Sequence, residues 1–167
     1  TFGSSLTKAG TFQIRSSTLT LSGVSTGTIT TGNMTVPALS INKTTATVVS
    51  VTFMDDLTVT GDMTLNKGTS SYDIWVYPSG TRTINIGGNF SITGNGTGNW
   101  CVLGNSNLTL NFNGSTDSTI SRSGSNNCTV LSPTTMAKSA GIVKLGSDYE
   151  FHGTLTIPVG QTFDVSP

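Results

Sequence analysis

The sequence predicts an all-β protein, a parallel β-solenoid in which each coil of the chain stacks on the preceding one. Three observations lead to this prediction: the composition, short segments of alternating apolar and polar residues, and internal repetition. Of the 167 residues, 31 are Thr, 22 Ser, 20 Gly and 13 Asn, whereas 34% are hydrophobic and 10% charged. Thr favours strands and Gly, Asn and Ser favour turns, while strong helix formers are scarce. A formal net charge of zero argues against charge-driven disorder and against the basic footprint of a nucleic-acid-binding protein.

Short segments of the chain alternate apolar and polar residues and are bounded by Gly, Asn, Asp or Ser. A period of two is typical of a strand with one buried face. The predicted strands are 18–22, 27–30, 34–36, 39–41, 49–53, 57–59, 63–65, 74–77, 83–86, 90–92, 108–112 and 154–157. Such short strands fit the narrow core of a solenoid better than a β-sandwich about 10 Å thick, which is the alternative fold.

The chain also repeats itself with a period of about 90 residues, which favours a repeat architecture. Residues 56–65 match residues 148–157 at an offset of 92. We therefore predict one continuous solenoid domain with an N-terminal lead segment (1–9), a first repeat (10–97) and a truncated second repeat (98–167).

Several segments resemble the repeats of large secreted bacterial cell-surface proteins and adhesins. In that family, sequence motifs of the type LTVxGxLTI…GxTLxVxGNW follow one another along right-handed parallel β-helices. The matching segments are 41–44, 56–65, 84–90, 110–116 and 153–165, and the resemblance covers residues 26–167. It implies an extracellular or cell-surface location and a structural or adhesive role, and the family has no shared catalytic residues to transfer.

The two cysteines, Cys101 and Cys128, match no metal-binding motif, and the single His152 lies far from both. If the protein is secreted, we predict a disulfide between them. Two small buried thiols are the alternative.

The acidic residues form no catalytic pattern in the sequence. Asp55 and Asp56 are adjacent, and neighbouring strand residues point to opposite faces. We predict that Asp55, Asp56 and Asp148 cap backbone groups in turns. No spaced ligand series supports a calcium site around Asp55, Asp56 and Asp62, and His152 is expected to be an exposed strand residue. We thus predict no catalytic residue, no metal site and no cofactor.

Two kinds of surface site are predicted. Seven Asn-x-Ser/Thr sequons are glycosylation candidates if the host has the machinery: Asn33, Asn42, Asn89, Asn95, Asn107, Asn113 and Asn127. Trp75 and Tyr77 share one face of a predicted strand, and Tyr72 is close in sequence. These three aromatic residues are candidates for stacking on a glycan, with packing in the core as the alternative.

The expected function is that of a non-catalytic extracellular structural protein. A solenoid has open ends whose unpaired strand edges invite another chain, so we predict a subunit or segment of a cell-surface fibre assembled by head-to-tail stacking. The expected partners are copies of the chain or neighbouring repeats of a longer chain, with surface glycans as a further partner and no nucleic acid. A membrane span is not expected, since no stretch approaches the ~18 apolar residues it needs. The alternatives are an adhesin or carbohydrate-binding module and a glycan-active β-helix enzyme.

Overall fold

The computed structural model describes residues 2–3, 5–7, 14–43, 48–67, 74–94, 100–124, 127–147 and 149–166. These residues form nineteen strands and no helix, which confirms the all-β prediction. In chain order the strands are β1 (Leu6–Thr7), β2 (Thr18–Gly23), β3 (Gly27–Thr30), β4 (Thr35–Val36), β5 (Ala38–Lys43), β6 (Val49–Phe53), β7 (Leu57–Val59), β8 (Met63–Asn66), β9 (Ile74–Pro78), β10 (Arg82–Ile86), β11 (Phe90–Thr93), β12 (Trp100–Leu103), β13 (Leu108–Phe112), β14 (Ser118–Ser123), β15 (Asn127–Val130), β16 (Thr134–Met136), β17 (Val143–Leu145), β18 (Leu155–Thr156) and β19 (Phe163–Asp164).

The strands form three parallel sheets, and successive coils extend each sheet by one strand. Sheet 1 has the order β1-β3-β6-β9-β12-β15, sheet 2 the order β4-β7-β10-β13-β16-β18, and sheet 3 the order β2-β5-β8-β11-β14-β17-β19. Ile29 pairs with Phe53, 24 residues later, which is the typical coil length in a solenoid of about five turns. The parallel β-solenoid is thus confirmed, and the sandwich is excluded because its neighbouring strands would pair antiparallel.

The core consists of columns of apolar side chains that follow the strand register from coil to coil. In sheet 3, Leu39 pairs with Met63 and Met63 with Phe90, and all three side chains are buried. The alternate residues are small and polar and lie on the outer face, where the Thr64 and Ser91 hydroxyl oxygens are 3.1 Å apart. Burying each large apolar side chain contributes about 1.5–3 kcal/mol, so one inward residue in two suffices for a narrow core.

Each of the twelve predicted strand segments overlaps an observed strand. The segments that were not predicted are β1, β12, β14, β15, β16, β17 and β19. In β14 and β16 the inward positions include Ser118 and Thr134, which are buried at 0% and 1% exposure. Polar residues at core positions hide the alternation on which the sequence prediction depends.

The division into two repeats of about 90 residues stays a prediction. Met63 and Leu155 occupy equivalent positions in the two predicted copies, at the offset of 92, but Met63 lies in sheet 3 and Leu155 in sheet 2. The structure repeats once per coil, about every 24 residues. The period of about 90 residues is a similarity between two parts of the sequence.

Three lysines are buried among the described residues, namely Lys43, Lys67 and Lys138. The Lys43 ammonium donates hydrogen bonds to the carbonyl oxygens of Gly3, Ser22 and Ser25, at 3.1, 2.9 and 3.1 Å. The Lys138 ammonium donates to the Ser118 hydroxyl at 2.6 Å. Burial lowers the pKa of Lys43 and also that of Lys138. Backbone carbonyls at a corner have no strand partner, and a buried ammonium supplies the missing donors.

The corner between sheets 2 and 3 is too crowded for a side chain at several glycines, among them Gly87 and Gly114. A Cβ added at Gly114 would collide with the carbonyl oxygen of Gly87, and one at Gly87 with the carbonyl oxygen of Thr60. Successive coils therefore approach each other through bare backbone at this corner.

We predict that Gly114→Ala lowers the free energy of unfolding by about 1–3 kcal/mol, because the backbone must shift to admit the methyl group. Urea or thermal unfolding measures the loss. Gly3→Ala is the matched control, since nothing lies within 4 Å of a Cβ at Gly3. Equal stability of the two variants would contradict the packing of the corner described above.

Candidate functional site

An aromatic pair lies on the outer face of sheet 1. In β9, Ile74 and Val76 point into the core at 0% exposure, whereas Trp75 and Tyr77 are half-buried on the opposite face. The Trp75 and Tyr77 rings are stacked, with centroids 5.5 Å apart and an angle of 29° between their planes. The structure therefore confirms that the two residues share a face, while Tyr72 lies outside the described residues.

Small polar residues border this pair on one side. Ser50 pairs with Trp75 and Thr52 with Tyr77 across the β6–β9 register. On the other side, Gly104 follows β12 and its N–H donates to the carbonyl oxygen of Val76 at 2.7 Å. Two nearly parallel rings next to hydroxyl groups can pack against the C–H face of a sugar ring and bond to its hydroxyls.

The adjacent carboxylates Asp55 and Asp56 bind backbone groups of other coils. Asp55 Oδ2 accepts hydrogen bonds from the N–H groups of Thr31 and Gly32, both at 2.8 Å. Asp56 Oδ1 accepts from the N–H of Thr83 at 2.8 Å. The prediction that both residues cap backbone groups is confirmed, whereas Asp148 lies outside the described residues.

A series of side chains at the corner before sheet 3 performs the same task from coil to coil. Asp62 accepts from the N–H of Asn89 at 2.7 Å, and the Asn89 side chain accepts from the N–H of Thr119 at 2.8 Å. Asp117 accepts from the N–H of Ile142 at 3.2 Å. This series was not predicted from the sequence, although an Asp or Asn directly precedes the three strands β8, β11 and β14.

Asp117 also forms an exposed ion pair with Lys144, with Oδ2 and Nζ 2.8 Å apart. The hydrogen bond from Lys144 lowers the pKa of Asp117, and that from Asp117 raises the pKa of Lys144. Within the described residues, no group of three or more His, Cys, Asp or Glu is arranged to hold a metal ion. The carboxylates described so far thus serve the backbone or a surface ion pair.

The two cysteines are neighbours in the strand register, since Cys101 in β12 pairs with Cys128 in β15. Adjacent strands lie about 4.7–4.9 Å apart, within the Cα separation that a disulfide spans. Their side chains lie outside the part of the chain that the structure describes, so the disulfide stays a prediction.

The sequons differ in accessibility. Asn33, Asn89, Asn107 and Asn113 are exposed. Asn42 is half-buried and precedes the fully buried Lys43, so Asn42 is a poor site for attaching a glycan. Asn95 and the side chain of Asn127 lie outside the described residues. Glycosylation stays a prediction at each sequon.

The last described coil, residues 149–166, ends in an apolar surface that we call the end face. We define it by Phe151, Leu155 and Phe163, which pack against the core, and by the exposed Ile157 and Val165, which directly follow β18 and β19. Phe151 pairs with Val130, Leu155 with Thr134 and Phe163 with Val143, so these residues continue core columns of all three sheets.

The end face is much more exposed than the core columns that it continues. Ile157 is 45% and Val165 63% exposed, whereas Val130 is 1% exposed. Phe151 is half-buried and lies between the rings of Tyr149 and Phe163, with centroid distances of 4.9 and 5.9 Å. The apolar core therefore reaches the surface at this end of the coil stack.

His152 lies beside the end face and contacts Glu150, with Nε2 and Oε1 3.1 Å apart and both side chains exposed. The exposure agrees with the prediction, whereas His152 lies outside the strands and follows the isolated bridge at Phe151.

Comparisons with known proteins identified no relative of the chain. No family model, no curated protein and no solved structure matches the chain. The described part of the chain contains no helix that is long and apolar enough to cross a membrane.

We predict that Asp55→Ala lowers the free energy of unfolding by about 1–3 kcal/mol, because it leaves the N–H groups of Thr31 and Gly32 without an acceptor. Asp55→Asn keeps an oxygen in place and is expected to cost less. Chemical denaturation measures both. Glu150→Ala removes a carboxylate whose side chain is 77% exposed and is expected to change stability by less than about 0.5 kcal/mol. An Asp55→Ala variant as stable as this control would refute the capping role.

Proposed function

We propose that the protein is a non-catalytic structural element of an extracellular surface fibre, in which a further β coil stacks on the end face. The observation that carries the proposal is that core columns of all three sheets end there in partly exposed apolar side chains. Ile157 and Val165 are 45% and 63% exposed. Covering them would remove apolar surface from water, at about 25 cal/mol per Å².

The backbone supports the same conclusion. The last strands, β18 and β19, pair on one side with β16 and β17 and stand at the edges of their sheets. An edge strand presents a row of N–H and C=O groups that can pair with an added strand. Main-chain hydrogen bonding in register, together with apolar contact, would extend the solenoid along its axis.

Composition and resemblance support the extracellular location. The surface is rich in Thr, Ser and Asn, and the repeats resemble those of secreted bacterial surface proteins. Cys101 and Cys128 lie in register on adjacent strands, as a disulfide formed in an oxidising compartment requires.

The structural role that we propose involves no catalysis. A glycan-active enzyme requires carboxylates that converge on a substrate. In the structure, Asp55, Asp56 and Asp62 instead accept hydrogen bonds from backbone amides.

We predict that Ile157→Lys with Val165→Lys abolishes end-to-end association, because two charges would enter an apolar interface. Electron microscopy and sedimentation velocity of the native protein and its variants at physiological salt measure the assembly. Val48→Lys with Leu131→Lys is the control, since it adds the same charge at two exposed positions that are not part of the end face. Rods from the native and control proteins and single particles from the end-face variant are expected. Single particles from the native protein at all concentrations would overturn the proposal.

A second candidate function is glycan binding at the aromatic pair on sheet 1. The observation that favours it is the stacked, outward-facing arrangement of Trp75 and Tyr77. A monomeric adhesin or carbohydrate-binding module would use this surface without any assembly.

We predict that, if this second function holds, Trp75→Ala weakens binding to a responsive glycan on the order of tenfold, through loss of ring stacking. A glycan array followed by titration calorimetry measures the effect. Tyr149→Ala removes an aromatic ring far from the pair and serves as the control. Failure of the native protein to bind any glycan on the array would eliminate this candidate.

A further inference from the structure

The outer face of sheet 1 carries apolar side chains that are exposed to solvent. Among the described residues before the last coil, the exposed large apolar side chains are Val24, Val48 and Leu131, with exposures of 61%, 57% and 38%. The half-buried rings of Trp75 and Tyr77 lie on the outer face of the same sheet. We call these five residues the apolar wall.

The strand register places the two valines next to each other. Gly27 in β3 pairs with Val51 in β6, and Val24 and Val48 each lie three residues earlier. The N–H of Ser50 donates to the Thr26 hydroxyl oxygen at 3.2 Å, which shows that the two chains stay adjacent before β3. Residues of β6 alternate between buried and half-buried, beginning with a buried residue, so Val48 precedes the strand on its outer face.

Leu131 continues the wall two coils beyond the aromatic pair. Val76 pairs with Leu103, and Leu103 pairs with Val130, and all three side chains are buried. Leu131 directly follows Val130, so it occupies the same outward column as Tyr77. The N–H of Leu131 donates to the carbonyl oxygen of Leu103 at 3.1 Å, which keeps this position in the ladder. The apolar wall therefore crosses the sheet from β3 to β15.

Outward columns of the other two sheets consist of short polar residues. One column of sheet 3 contains Thr20, Ser40, Thr64, Ser91 and Ser121. A column of sheet 2 contains Thr58, Asn85, Asn111 and Thr135. An exposed apolar patch beside such polar walls is typical of an interaction surface.

The strands of sheet 1 are also uncharged. As described, they contain no Asp, Glu, Lys or Arg, whereas sheet 2 contains Arg82 and sheet 3 contains Lys144 and Asp164. The Asp55 carboxylate, which follows β6 by one residue, accepts hydrogen bonds from two backbone N–H groups of the preceding coil. Asp73 precedes β9 and lies outside the described residues. A charged ligand would lose hydration on this surface without gaining an opposite charge, so the wall suits an uncharged ligand.

The size of the wall favours a narrow ligand over a protein or a lipid surface. Strands β3 to β15 extend about 25 Å along the axis, and the five residues of β9 extend about 17 Å across it, which gives an area of roughly 400 Å². A stable protein–protein interface buries about 800 Å² on each partner. Binding to an anionic lipid surface depends on Lys and Arg, which the described strands of sheet 1 lack. A glycan chain needs less area, and its sugar rings stack on aromatic side chains.

We propose that the apolar wall binds an extended, uncharged polysaccharide chain that crosses the strands of sheet 1 along the solenoid axis. This inference rests on the second candidate function, glycan binding at the aromatic pair, and names the ligand class and its direction. Trp75 and Tyr77 stack on one sugar ring, while Val48 and Leu131 contact the chain on either side of the pair. Ser50 and Thr52, which pair with Trp75 and Tyr77, supply hydroxyl groups to the sugar.

Affinity gel electrophoresis of the full 167-residue chain tests the ligand class. The probes are soluble neutral polysaccharides of glucose, mannose, xylose and galactose, each compared with its carboxymethylated derivative, which keeps the sugar backbone and adds charge. We expect a neutral polymer to retard the protein, and its carboxymethylated derivative to bind on the order of tenfold more weakly. Equal or tighter binding of the charged derivatives would overturn the assignment to an uncharged ligand.

Oligosaccharides of increasing length, prepared from the polymer that binds, test the direction of the chain. Affinity measured by titration calorimetry should increase until the oligosaccharide reaches from Val48 to Leu131, which are three coil spacings or about 14 Å apart along the axis. If only the aromatic pair binds sugar, the shortest oligosaccharides will bind as tightly as the longer ones.

Variants at the two ends of the wall test its extent. Val48→Lys with Leu131→Lys is expected to weaken polymer binding on the order of tenfold, because apolar contacts are lost on both sides of the aromatic pair. Thr35→Lys with Asn113→Lys adds the same charge at two exposed positions of sheet 2 and its margin and should leave binding unchanged. Thermal unfolding checks that all variants are folded.

The outcomes separate this inference from the functions on which it bears. Binding that requires Trp75 but is insensitive to the variant at Val48 and Leu131 would overturn the extended wall and retain glycan binding at the aromatic pair. Absence of binding to every polymer would overturn both, while the fibre proposal is decided by assembly alone. Loss of end-to-end association in the Val48→Lys, Leu131→Lys variant would show that the wall contacts another copy of the chain and would overturn the inference.

Discussion

Main-chain hydrogen bonding between coils in parallel register is the interaction on which the rest of the structure depends. It satisfies the backbone of each strand with the strands one coil before and one coil after, so the chain needs few apolar residues. The same register places Leu39, Met63 and Phe90 in one continuous column. A core only a few side chains wide is enough because the hydrogen bonds already specify the stacking. This is why a sequence with 34% hydrophobic residues folds into an ordered solenoid.

At the corners the backbone leaves the sheets, so its N–H and C=O groups lack partners on neighbouring strands. Polar and charged side chains supply the missing partners: Asp55 accepts two backbone N–H groups, and Lys43 donates to three carbonyl oxygens. Other corners bring bare backbone into contact, as at Gly87 and Gly114. Asp55 and Lys43, which could suggest acid–base or metal chemistry in another protein, therefore have structural roles here.

Among the described residues, two surfaces are candidates for function, and both follow from the stacking of coils. The walls carry residues that the strand alternation turns outward, among them Trp75 and Tyr77. The end of the stack exposes core columns in cross-section, because a solenoid has no intrinsic termination. The extension that we propose would require no specialised binding loop, since a coil with matching register would continue the sheets.

Local alternation of period two was enough to predict the fold class, twelve strand segments and the shared face of Trp75 and Tyr77. The sequence also indicated that Asp55 and Asp56 cap turns, since that role follows from residue type and position. The tertiary structure decided what depends on register between distant coils. It placed Ser118 and Thr134 in the core, buried Lys43, and brought Cys101 beside Cys128. Coil lengths vary between 20 residues, from Thr18 to Ala38, and 30 residues, from Phe90 to Ile120. Because corner loops absorb these differences, no fixed sequence period reveals which residues stack, and the stacking is set by the pairing of whole strands.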